Sequence, residues 1–175
     1  VTTYATYNQW SDVPNPAYDP NLANSPKFLN FGSYTSPQSD KVSFNRPYQY
    51  VYPSNGRLRK GTGDFFEWEH SMLRFIEREG YDVTYNTNID THASGAHLLN
   101  HKAFLSVGHD EYWTREMRDN VEAARNAGVH LAFLGANMAY WQIRLEPGSA
   151  ATGGAPNRTI AAYRFRYTFD PLYIA

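Results

Sequence analysis

Hydrophobic positions recur along this chain in two rhythms. Phe65, Trp68, Met72, Leu73 and Ile76 fall on one face at helical spacing. Asp64 with Glu67 matches a capping box ahead of them, and Gly80 marks the stop. Met117, Val121 and Ala124 repeat the spacing behind Thr114, a residue type that caps helices, and Gly128 closes that helix. Short apolar blocks lie between. Residues 81–85 read as strand-like, and residues 103–107 and 129–134 read as buried strands, the second closing at Gly135. A short helix is predicted over 94–99, and another is predicted to begin over 136–141. Strands separated by helical stretches of ten or more residues predict a mainly parallel sheet with right-handed crossovers. The expected fold class is therefore α/β, a doubly wound, flavodoxin-like three-layer sandwich.

The flanks have another texture. Residues 1–62 are rich in Pro, Asn, Ser and Tyr. A strand is expected over 1–7, a long ordered loop over 11–39, and a short strand or extended segment within 41–52. Residues 147–156 are rich in Gly and Ala and predict an exposed loop, and 160–169 predict a strand. The chain has no internal repeat. Its 175 residues are enough for one full core, so a single domain over 1–175 is expected, whole or as a piece of a longer multidomain protein.

Composition narrows the function. With 42% hydrophobic and 19% charged residues the chain is globular. A formal charge of −1 argues against a broad nucleic-acid footprint. No apolar run approaches the ~20 residues of a membrane helix. The absence of cysteine removes disulfides, thiolate metal sites and cysteine nucleophiles, and suits the cytoplasm or a secreted protein equally. Tyrosine is abundant, with 14 copies. It suits polar interfaces, sugar stacking and hard metal ions, though amphipathic packing accounts for most copies.

The chemistry concentrates after the predicted strands. Tyr7 and Asn8 follow the first, His109 and Glu111 the strand at 103–107, and Asn137 the strand at 129–134. In an open α/β sheet these loops line the ligand-binding edge. Glu111 offers a hard oxygen ligand, and a carboxylate with phenolates suits ferric iron better than zinc. A metal so held polarises a carbonyl and activates a water. His109 is then a base or a neighbour to the ligand. The structural alternative has Glu111 capping the next helix and His109 bonded in a loop. A metal-free hydrolase would use Asp110 as nucleophile, because no Ser or Cys sits at the tip of this turn. Gly61-Thr62-Gly63 lacks the rest of a phosphate loop. His97 and His101, with His92 nearby, have zinc-like spacing without a third ligand in view, and read as solvated surface residues.

The run from Gly63 through Phe75, with Gly80-Tyr-Asp-Val-Thr-Tyr85, Gly108-His-Asp-Glu-Tyr-Trp113 and Gly135-Ala-Asn137, resembles the carboxy-terminal domain of the large subunit of N,N-dimethylformamidase and its bacterial relatives. Tyr7-Asn8 and Lys41-Val-Ser-Phe-Asn-Arg-Pro-Tyr48 are similar to that family's amino-terminal motifs. The resemblance implies a class I glutamine-amidotransferase-like fold and a mononuclear iron held by two tyrosines and a glutamate, used to hydrolyse a small amide. Carried over, Glu111 is the carboxylate ligand and Tyr7 the first tyrosine. Tyr48 is the second, while another register places Phe44 there, and phenylalanine binds no metal. His109 moves protons and Asn137 orients the substrate. Further domains or a small subunit are implied as partners. The rival expectation is a non-catalytic binding or scaffold domain of a secreted bacterial protein that keeps the fold and not the metal site.

Overall fold

The computed structural model describes residues 41–44, 65–150 and 153–173. The expected strand at 1–7, the loop at 11–39 and the cap at Asp64 lie outside the described residues. The chain divides into two compact units. Described residues 65–140 belong to the first, and 41–44, 141–150 and 153–173 to the second.

In the first unit the predicted helix is divided into α1 (Phe65–Trp68) and α2 (His70–Arg78) by a turn at Glu69. Glu69 N–H still reaches the Phe65 carbonyl at 3.0 Å, and the Glu69 carbonyl accepts from Met72 and Leu73. Gly80 ends the run at φ +73°, a conformation that favours glycine. Residues 81–85 form no strand, contrary to the expectation. Side chains anchor them instead. The Tyr85 hydroxyl donates to Glu77 Oε1 at 2.6 Å, and Thr84 Oγ1 bonds His101 Nε2 at 3.0 Å. Strand-like composition makes a strand only where a partner strand is met.

Helix α3 (Asn88–Ala93), which the sequence pattern does not anticipate, precedes a 3₁₀ turn at Ala96–Asn100, where a short helix is expected over 94–99. Strand β2 (Ala103–Gly108), strand β3 (Tyr112–Thr114), helix α4 (Arg115–Asn126) and strand β4 (His130–Gly135) follow. Strands β2 and β4 pair in parallel from Ala103↔His130 to Gly108↔Gly135. As expected, Thr114 caps α4, accepting from Met117 N–H at 3.1 Å. Met117, Val121 and Ala124 are the buried face of α4. The two strands are less buried than their composition implies. In β2 only Ser106 is fully buried, and Leu105 and Leu134 are 43% and 45% exposed. The Trp113 ring contacts Phe104 and Phe133 on one face of the pair, at 6.5 and 6.1 Å between centroids, with Phe133 still 46% exposed. Leu105 and Leu134 alternate to the other face.

No helix begins at 136. Asn137 and Ala139 have φ of +54° and +50°, which a right-handed helix does not accommodate. The chain instead enters strand β5 (Trp141–Glu146), which belongs to the second unit. It pairs antiparallel with β6 (Thr159–Ala161), which pairs antiparallel with β1 (Lys41–Ser43). The predicted long strand at 160–169 stops after Ala161 and becomes a 3₁₀ turn at Arg164–Phe169. Ile143, Ile160, Ala161 and Ala162 are buried. Arg144 donates to both carboxylate oxygens of Asp170, at 2.5 and 3.0 Å, and its guanidinium lies over the Tyr163 ring. The architecture is mixed α/β with small sheets. Among the described residues no helix is long and apolar enough to cross a membrane.

Candidate functional site at the ends of β2 and β4

Parallel pairing sends the loops after β2 and β4 out of the same sheet edge. The backbone then locks them together. Gly108 and Gly135 are directly paired, and a Cβ on Gly135 would overlap the Gly108 carbonyl oxygen and stand 2.7 Å from its carbon. Glycine is therefore required at 135 for close approach. Gly108 has φ +88°, and a Cβ there would press on the Trp68 Cβ at 2.9 Å. The Gly108 carbonyl accepts from Ala136 N–H at 3.3 Å, and the Asp110 carbonyl accepts from Ala139 N–H at 2.8 Å. His109 and Glu111 are thus tied to the turn carrying Asn137, while Tyr7 and Asn8, the third part of the expected convergence, lie outside the described residues.

The side chains divide into two groups. His109 Nε2 lies 3.0 Å from Glu111 Oε2. Glu111 is 6% exposed, while His109 is half-buried with the Trp68 ring tilted beside it at 6.3 Å. Asp110 points elsewhere and is 4% exposed. Ser106 Oγ donates to its Oδ2 at 2.5 Å, and Asn88 Nδ2 donates to its Oδ1 at 2.8 Å. With both oxygens engaged, Asp110 is poorly disposed to act as a nucleophile. Tyr112 and Trp113 are buried packing residues. Asn137 is exposed on its turn.

Tyr7 and Tyr48 lie outside the described residues. Phe44 is described: it is half-buried, and its N–H donates to the Arg158 carbonyl at 2.7 Å. The histidines at 92, 97 and 101 are half-buried rather than solvated, and each has its own hydrogen-bond partner. His92 Nδ1 meets Thr114 Oγ1 at 2.9 Å, His97 Nε2 meets Asn86 Nδ2 at 3.0 Å, and His101 meets Thr84. Among the described residues no group of three or more His, Cys, Asp or Glu side chains is placed to hold a metal ion. A buried carboxylate with tyrosine phenolates is a chemically suitable set for ferric iron.

The Ser106–Asp110–Asn88 network escapes sequence reasoning. Its one local signal is the Thr87-Asn-Ile-Asp90 capping box, which places Asn88 at the start of α3. There the Thr87 N–H and then its hydroxyl, both donating to Asp90, hold that carboxyl below its ordinary range.

The model of the family described as N,N-dimethylformamidase beta subunit-like, C-terminal, matches residues 1–173 of the chain. No curated protein matches it.

Proposed function

The chain belongs to the N,N-dimethylformamidase beta subunit-like C-terminal family, and from that premise we propose that it is an iron-dependent amidohydrolase domain cleaving the C–N bond of a small amide. The observation that carries this reading is the buried Glu111 carboxylate bonded to His109 on the edge where the Asn137 turn arrives. Tyr7, Tyr48 and Glu111 would hold the iron. When bound, ferric iron supplies Lewis acidity toward an amide carbonyl and toward water.

The protein's own groups do the rest. In the tautomer carrying its proton on Nε2, His109 donates to Glu111 and keeps the Nδ1 lone pair to take a proton from water. The same ring returns the proton to the departing amine. Water oxygen bonds to the amide carbon, the C–N bond breaks, and a carboxylic acid and an amine leave. The exposed amide of Asn137 orients the substrate. The parallel β2/β4 pair joined through α4 supports a glutamine-amidotransferase-like sandwich, and a single domain over residues 1–175 is part of the proposal. Other domains or a small subunit are its proposed partners.

The test is iron content, together with a visible tyrosinate-to-iron absorption band, in protein produced with iron supplied. Stoichiometric iron and the band are expected. Glu111→Ala should lose both, and Tyr7→Phe or Tyr48→Phe should shift or remove the band. Iron-free, colourless wild type that binds another ligand would favour a binding domain instead.

A further inference from the structure

Asp110 takes no part in the reading above, yet it is a buried carboxylate between two residues that do. Burying a charged group is unfavourable unless its oxygens are satisfied, so its surroundings must be arranged for it. They are. Ser106 reaches it from within β2, and Asn88 from the first turn of α3. Its main-chain carbonyl accepts Ala139 N–H from the turn after β4. One residue thus joins a strand, a helix start and a left-handed turn. Ser106 is buried beside Met138, whose Sδ is 3.9 Å from Oγ, so the same turn is touched a second time.

We propose that Asp110 is a positioning residue. Its carboxylate fixes the loop at 109–111, and the loop's carbonyl at 110 then holds the turn at 136–139. This sets the spacing of His109 and Glu111 against Asn137. The geometric tie is independent of the chemistry, whereas its consequence for iron rests on the proposed function. Satisfied buried networks of this kind give a single arrangement rather than several, which is what groups converging on one substrate require.

The experiment is amide hydrogen exchange by NMR on the full chain, with a ferric-ion titration of the same samples. Wild type is compared with Asp110→Ala, Asp110→Asn and Ser106→Ala. In Asp110→Ala the Ala139 N–H should exchange about tenfold faster, while Val121 and Ala124 in α4 stay unchanged. Ser106→Ala should give a smaller rise. Asp110→Asn should restore protection, because its amide can bond both Ser106 and Asn88. Ferric affinity should fall by about tenfold to a hundredfold in Asp110→Ala. Unchanged exchange at Ala139, or exchange rising only in step with α4, would overturn the proposal. A selective exchange response with ferric affinity unchanged would overturn its link to the site. If wild type takes up no ferric ion, the amidohydrolase reading fails, and the exchange pattern alone decides the tie. Should Asp110→Ala fail to fold, Ser106→Ala and Asn88→Ala carry the same test, each removing one donor.

Discussion

Around β6 the buried atoms are hydrocarbon, from Ile143, Ile160, Ala161 and Ala162, and the charges of Lys41, Arg144, Glu146 and Asp170 keep partial contact with water. Around the ends of β2 and β4 the buried set includes the Asp110 and Glu111 carboxylates and the Ser106 hydroxyl. Apolar burial is stabilising almost whatever the exact geometry, whereas polar burial is tolerable only when every partner is in place. The ribbon of β1, β6 and β5 therefore reads as stability, and the parallel edge as geometry. Mutations should separate the two.

Gly135→Ala tests the edge most severely. Its methyl group would collide with backbone that cannot rotate away, and a loss of at least ~3 kcal/mol is expected in urea denaturation. A loss below ~1 kcal/mol would mean that the strands are not held that closely. Ile160→Ala should cost the ribbon about 3 kcal/mol by the same measurement. Its Ala139 exchange rate should not change beyond that global loss; a selective change would blur the division. Thr114→Ala removes the cap of α4 and a hydrogen bond to His92, for ~1–2 kcal/mol.

The smallest effect is pH-dependent. The Arg144 guanidinium, by its hydrogen bonds, holds the Asp170 carboxyl below its ordinary range. A depressed folded value gives stability that is complete above the unfolded pKa of about 3.9 and is lost as pH falls through the folded one. Partial exposure screens the pair, so Asp170→Asn should cost ~1 kcal/mol at neutral pH and flatten the acid limb of the stability curve. An unchanged acid limb would show that the pair contributes nothing.

Much of the parallel edge is legible in the sequence because its signals are local. Thr114 before a helical apolar face, Gly128 after it, and Gly108 and Gly135 closing apolar runs each follow from chain stereochemistry. The loops converge because parallel strands leave them on one side. The failures are of three kinds. The segment 81–85 has strand composition, but pairing is a long-range fact that composition does not carry. The stretch 136–141 reads as a helix start because Met138 and Trp141 are helix-compatible, while Trp141-Gln-Ile-Arg-Leu-Glu146 alternates in the period of the strand it forms. Asp110 is a third case. Its partners Ser106 and Asn88 are four and twenty-two positions away, and no spacing rule joins them.

Ala139 carries one more consequence. A side chain in the left-handed region is less comfortable there than glycine by roughly 1 kcal/mol. Ala139→Gly would relieve that strain while enlarging the freedom of the unfolded chain, so the melting temperature should move little. Freedom of the turn is another matter, since glycine lets Asn137 sample orientations that alanine forbids. A single methyl group, nearly silent in a thermal melt, would then separate heat resistance from the sharpness with which this edge presents its groups.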